Sequence, residues 1–246
     1  MEQYTAKEFD CFMKSMKKAA DYLHSKKPNF IFAPILGSVP LIDILSIIDR
    51  HFPLEIVEYP PNSSRFINRE EIIDKWFSNF LSDDYNLFNI KREPMSIICI
   101  DEVISGSSAV KGYKEFHKIL YKLDENRKSP LEKKVTYEIL GIGEKPKDQK
   151  RNRGFMRLVN QEKAKVFETE RIITSDNIDL NPVRLKAGEI NKQGRQTYLP
   201  EIESMNYSRD YSILLYNTAN FFGVDPEKVS PVNLLKIQGS LEKYLR

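Results

Sequence analysis

The chain has 246 residues, enough to bury a full core without disulfides or a structural metal. Hydrophobic residues at 41% and charged residues at 30% describe a folded globular protein and exclude a disordered one. The formal charge of +3 is too small to imply nucleic-acid binding by itself.

Thr5 and Glu8 form a capping-box pattern, and Phe9, Phe12, Met13, Met16, Ala20 and Leu23 then recur at helical spacing. Lys26-Lys27-Pro28-Asn29 ends that helix. Phe30 to Leu36 is a short continuous apolar run, as in a strand buried on both faces of a parallel sheet. Pro34 cannot donate to a ladder, so the regular strand is expected to end near Ala33. Gly37-Ser38-Val39-Pro40 turns into a helix with Leu41, Ile44, Leu45 and Ile48 on its apolar face. Leu54 to Tyr59 alternates as a second strand, and Pro60 to Ser64 is a loop. Asn68 and Glu71 predict another capping box, opening a helix that carries Ile72, Ile73, Trp76, Phe77 and Phe80.

Met95 to Ile100 is the clearest strand and ends in Asp101-Glu102. A helix follows from about Ser107, with Val110, Tyr113, Phe116 and Leu120 at its spacing. Val135 to Ile142 is a further strand. Residues 145–157 are strongly basic and read as a flexible solvated loop, with a lid over an anionic substrate or a nucleic-acid patch as the lesser alternatives. Val166 to Thr174 holds one or two strands, and helices resume at Ser208 and after Asp225-Pro226-Glu227. Strands alternating with helices predict an α/β fold: a Rossmann-like, open, mainly parallel sheet flanked by helices, with a C-terminal helical element. The expected division is an α/β domain over 1–205, elaborated over 143–205, and a helical extension over 206–246. Trp76, Tyr211, Phe221 and Phe222 are expected in the core.

Cys11 and Cys99 sit in apolar patterns and read as small core hydrophobes, and the three histidines lack ligand spacing. No basic-then-apolar signal pattern opens the chain, and no apolar run is long enough to span a bilayer, so the expectation is a cytoplasmic protein. Glycine is scarce, 10 in 246, which suggests a local reason for each. Gly37 and Gly106 are the two that closely follow buried strands.

The informative segment runs from Ser96 to Ala109. A buried strand delivers two adjacent carboxylates to the carboxyl edge of a sheet, where open α/β folds bind ligands. Ser105-Gly106-Ser107-Ser108-Ala109 then supplies small hydroxyl side chains and the N–H groups of a helix start, which favour phosphate. Asp101 and Glu102 can accept hydrogen bonds from vicinal hydroxyls or reach magnesium through water. A phosphate cradle beside a diol clamp suits a sugar phosphate.

This run resembles the phosphoribosyl-diphosphate (PRPP) signature of the type I phosphoribosyltransferases: an apolar strand, two acidic residues, two apolar residues, a small Ser/Thr/Gly loop and a helix. The earlier strand ending at Gly37-Ser38 resembles the family's pyrophosphate loop, and the order of elements is similar over residues 5–145. The resemblance implies phosphoribosyl transfer to or from a nitrogenous base. Asp101 and Glu102 would be catalytic, Ser105, Gly106, Ser107, Ser108 and Ala109 would bind phosphate, and Leu36, Gly37 and Ser38 would hold pyrophosphate. Magnesium would be the cofactor, held through the ligand or water, and Arg65 would act from a mobile segment, Pro60 to Arg69. The expected partners are PRPP or a nucleotide, with a homodimer open and neither membrane nor nucleic acid involved. The loop departs from the family's usual acid-or-threonine, Thr-Gly pattern. That departure leaves open a non-catalytic module sensing PRPP or a nucleotide, and the unfamiliar second half of the chain leaves open a nucleotide-consuming defence effector.

Overall fold

The structure is a computed structural model that describes residues 4–83, 93–124, 131–144, 151–174, 178–191, 194–229, 231 and 234–245. Helix α1 (Ala6–Lys26) opens on the expected capping box: the Glu8 N–H donates to Thr5 Oγ at 3.2 Å, and the Thr5 N–H donates to the Glu8 carboxylate at 2.7 Å. There follow β1 (Phe30–Phe32), α2 (Ser38–Ile48), β2 (Val57–Glu58), α3 (Arg69–Ser82), β3 (Met95–Val103), α4 (Ser107–Asp124) and β4 (Val135–Glu144). The second half contributes α5 (Arg153–Asn160), β5 (Ala164–Thr169), β6 (Val183–Ile190), β7 (Gln196–Met205), α6 (Arg209–Phe221) and α7 (Leu234–Leu245).

Five strands form one sheet in the order β2-β1-β3-β4-β5, and every pairing is parallel. The strand pattern dictates the two layers. Along β3, Ile98 and Ile100 enter a core shared with α1, α2 and α6, while Ile97 and Cys99 enter a second core shared with α3 and α4. A strand buried on both faces needs apolar residues at successive positions, which explains the unbroken run from Ile97 to Ile100. β6 and β7 form a separate antiparallel ribbon with irregular register. Helix α7 belongs to these cores rather than to a separate extension, since Ile237 and Leu241 lie in the first and Tyr244 in the second. It also covers the outer strand β2: the Ser240 hydroxyl donates to the Glu58 carboxylate at 2.6 Å and accepts the Tyr59 N–H at 2.9 Å.

Several elements differ from expectation. The segment from Leu54 begins as a turn of 3₁₀ helix, leaving only Val57–Glu58 as strand. Asn68 adopts a left-handed conformation (φ 48°) and its side chain does not cap α3, so the second capping box does not form. Within the basic stretch, residues 153–160 form α5, whose Phe155 and Leu158 are buried; 145–150 lie outside the described residues. The β6–β7 ribbon was not expected as such. Phe221 is 40% exposed, not core, although its ring meets Phe9 edge-on. Trp76 and Tyr211 are fully buried, as expected. Among the described residues no helix is long and apolar enough to cross a membrane.

The second core is an aromatic cluster centred on Phe32. Its ring lies 4.9 Å from Phe80, 5.4 Å from Trp76 and 5.9 Å from Phe77 and Tyr137. Edge-to-face and offset arrangements of this kind add to the gain from burial. Phe32→Ala should therefore lower stability by about 3–5 kcal/mol in urea unfolding. A loss below about 1 kcal/mol would show that the cluster closes around the gap.

Candidate functional site

The strand order sets where a site can form. Chain leaving β1 enters α2 on one face of the sheet, whereas chain leaving β3 enters α4 on the other. The two connections diverge, and a crevice opens between them at the carboxyl edge. A cavity of about 520 Å³ occupies that position, within the range of small-molecule sites. Leu36, Gly37, Arg65, Asp101, Glu102 and Ser108 all line it. Two distant loops of the sequence, one after each strand, thus meet as expected from their order.

Gly37 has an ordinary helical φ of −64°, so it is not there for backbone freedom. A Cβ on it would sit 3.1 Å from a Glu102 carboxylate oxygen, a close approach that a small shift of that side chain relieves. The Ile35–Leu36 peptide bond in this loop is cis. Ser38 is fully buried outside the cavity, and its hydroxyl donates to the Ile100 carbonyl at 2.8 Å. It ties the start of α2 to Ile100, the residue of β3 just before the acidic pair.

Asp101 and Glu102 are both part-buried at the end of β3. Burial pushes the Asp101 carboxyl up to about 7. The Glu102 backbone N–H, the Arg69 charge and the neighbouring Ser38 hydroxyl all favour the anion but only partly offset this. Glu102 accepts a hydrogen bond from the buried Thr174 hydroxyl. Asp101 is therefore a carboxyl able to gain or lose a proton near neutrality inside a ligand-sized cavity.

The Ser105–Ala109 loop is placed less simply. Only Ser108 lines the cavity; Ser105, Gly106, Ser107 and Ala109 do not. Gly106 has φ +76°, and a Cβ there would lie 2.4 Å from the Phe155 ring, so both backbone and space require glycine. Asn152, at the start of α5, donates its backbone N–H to the Ser105 carbonyl at 2.8 Å and its side-chain amide to the Ser107 hydroxyl at 3.3 Å. Thus α5, from the basic stretch, packs directly on the loop. The Ser107 N–H is turned toward Ser105 Oγ at 3.3 Å. The first-turn N–H groups of Ser108 and Ala109 have no acceptor within α4, as at any helix start.

The segment Pro60 to Arg69 is anchored rather than free. Asn62, 4% exposed, donates to the Ser108 carbonyl at 3.1 Å and accepts from the Arg69 guanidinium. A Cβ at Gly112 would lie 2.6 Å from the Asn62 amide nitrogen, so α4 is hollowed to receive it. Further along, Tyr198 of β7 donates its N–H to the Arg65 carbonyl at 2.9 Å and accepts from the Ile67 N–H at 3.0 Å. Arg65 therefore reaches the cavity from a segment hydrogen-bonded to the ribbon.

The remaining lining was not foreseen. Thr174, Asn181, Arg184, Tyr198, Glu203 and Ser204 bring in the second half of the chain. The Asn181 amide donates to the Leu36 carbonyl at 2.6 Å, binding this half to the loop between β1 and α2. A signal existed: Val183, Leu185 and Ala187 alternate, and Gly194 (φ +73°) marks the turn between the strands. No group of three His, Cys, Asp or Glu side chains converges to hold a metal among the described residues.

Compared with known proteins, the chain matches no family model, no curated protein and no solved structure. Its own geometry is what bears on function.

The raised Asp101 pKa has a sign that can be tested. The folded protein holds this proton up to about pH 7, while an unfolded aspartate releases it near pH 4. Stability should therefore fall as pH rises from about 4 to about 7, and Asp101→Asn should remove that loss. Unfolding at pH 8 should show Asn as the more stable variant, by at most about 4 kcal/mol. Equal stability at pH 8 would mean that the carboxylate is not penalised by burial.

Proposed function

We propose that the cavity binds a phosphorylated ribose, as PRPP or a nucleotide, and transfers the phosphoribosyl group to or from a nitrogenous base, in the manner of the type I phosphoribosyltransferases. One observation carries this reading: Asp101 and Glu102, the Gly37 loop and the first turn of α4 border one cavity at the sheet's switch point. Two carboxylates suit ribose hydroxyls, and the narrow glycine loop suits a close-lying diphosphate. Arg65 adds a cation at the same cavity.

In the synthetic direction, a ring nitrogen of the base bonds to the anomeric carbon while that carbon's bond to the pyrophosphate oxygen breaks. Pyrophosphate leaves with the electron pair, and the proton displaced from the nitrogen passes to solvent. Positive charge builds on the ribose ring in between, and ionised Asp101 and Glu102 stabilise it. Asp101 and Glu102 offer magnesium two adjacent carboxylates, which would suit an ion carried by the diphosphate and reached through water. Such an ion would neutralise the departing pyrophosphate.

The sealing of the Ser105–Ala109 loop by Phe155 and Asn152 favours a second reading, a module that binds the same ligand without turnover.

Calorimetry with PRPP and magnesium, followed by a base panel assayed for pyrophosphate release, separates these readings. Turnover that falls at least 100-fold in Asp101→Ala and Glu102→Ala is the expected result. The rate should climb with pH through about 7 as Asp101 ionises. Binding without turnover would support the sensor. No binding of PRPP or any nucleotide would overturn both.

A further inference from the structure

The cavity carries two arginines of different origin. Arg65 comes from the segment after β2, and Arg184 comes from β6. Neither makes an ion pair among the described residues, although Asp101, Glu102 and Glu203 line the same cavity. Arg184 is part-buried, and its guanidinium is fixed by donating to the Asn181 carbonyl at 2.5 Å and the Val183 carbonyl at 3.2 Å. Both bonds use the same terminal nitrogen, Nη1. The other terminal nitrogen and Nε keep their hydrogens for another acceptor. A guanidinium held by neutral carbonyls beside a cavity retains its full charge for a ligand.

The two arginines also belong to one hydrogen-bonded assembly. Arg65 is joined through its carbonyl to Tyr198 of β7, and β7 pairs with β6, where Arg184 faces Ser204 in the register. The backbone at both positions is therefore held in one hydrogen-bonded assembly, while the Arg65 side chain itself is exposed. By contrast, the helix-start loop expected to seat phosphate presents only Ser108 to the cavity, and its Ser105 and Ser107 hydroxyls are engaged with each other and with Asn152. The principal cationic groups at this cavity are thus on the ribbon side.

We infer that Arg184 and Arg65 form an anion clamp that takes a phosphate or diphosphate of the ligand while Asp101 and Glu102 hold its hydroxyl-bearing part. This deepens the phosphoribosyl reading and rests on it for the ribose, but the clamp itself makes a separate demand. Guanidinium forks bind phosphoryl oxygens in pairs, so the clamp selects phosphorylated ligands over free nucleosides. It also assigns the second half of the chain a binding role that the strand–loop motif does not supply.

Titration calorimetry tests the clamp with four probes: inorganic phosphate, pyrophosphate, ribose 5-phosphate and PRPP. Arg184→Gln should weaken the phosphorylated probe bound most tightly by at least tenfold, with Arg65→Gln acting in the same direction and Arg184→Lys restoring part of the loss. Arg195→Gln, an exposed position away from the cavity lining, is the control. Thermal unfolding identifies variants that have lost their fold, and Arg184→Lys then serves in place of Gln, with a weaker but measurable loss expected. Preference for pyrophosphate and PRPP would place a diphosphate in the clamp, whereas preference for phosphate and ribose 5-phosphate would place a monophosphate there. PRPP bound equally by wild type and by folded Arg184 and Arg65 variants would overturn the clamp and leave the phosphoribosyl reading standing. Arginine-dependent pyrophosphate binding with no added affinity for ribose-containing probes would support the clamp and overturn the ribosyl reading.

Discussion

The burial of β3 on both faces is the constraint on which the rest depends. From Ile97 to Ile100 every side chain faces one core or the other, with at most 1% exposure. A charged residue cannot enter that run without losing its hydration, so the carboxylates stand beyond it. Asp101 is the first part-buried residue after the run, and it remains costly enough in charged form that its pKa rises to about 7. Because β3 is also the middle strand of the sheet, its end is the deepest point of the carboxyl edge. The site is where it is because the strand is apolar up to that point.

What converts an edge into a cavity is the second half of the chain. The β6–β7 ribbon has no place in the main sheet. Val183 and Leu185 pack it into the first core, and polar attachments at and beside the ribbon add to this: Tyr198 to the backbone of Arg65 and Ile67, and Asn181, just before β6, to the Leu36 carbonyl. Each polar attachment falls on a loop that follows a strand of the main sheet. Backbone groups in such loops would otherwise need water, so their pairing both satisfies them and encloses the crevice.

The first 144 residues were the legible part, for a physical reason. Two-sided burial writes apolar runs such as Ile97 to Ile100, and these cannot be mistaken for surface. The acidic pair and Gly37 were legible because position after a buried strand restricts what they can do. Arg184 was not, because a half-exposed ribbon alternates weakly and its register is broken in several places. Nor could Asn68 be read correctly. Its side chain suits a helix cap, but the backbone enters α3 through a left-handed turn that aims it elsewhere. Gly106 was legible as a special position, while its partner Phe155 lay in a stretch whose charge concealed a helix. Three of the residues flanking Phe155 there are arginines at 151, 153 and 157, yet the buried face needs only Phe155 and Leu158.

That concealed helix bears on how the site would work. Phe155 requires glycine at 106, and glycine at 106 lets the backbone turn tightly into α4. Asn152 then fastens α5 to Ser105 and Ser107. The loop is thus shaped from outside by α5 and bordered inside, at Ser108, by Asn62. A loop braced on both sides is a preorganised wall more than an adaptable cradle. An anion entering such a cavity gains most from groups that retain unspent donors, and the guanidiniums on the ribbon side have them. On the proposed reading, carboxylates from the sheet would take the hydroxyls and the two arginines would take the phosphate, a split that would keep like charges of ligand and protein apart within one small volume.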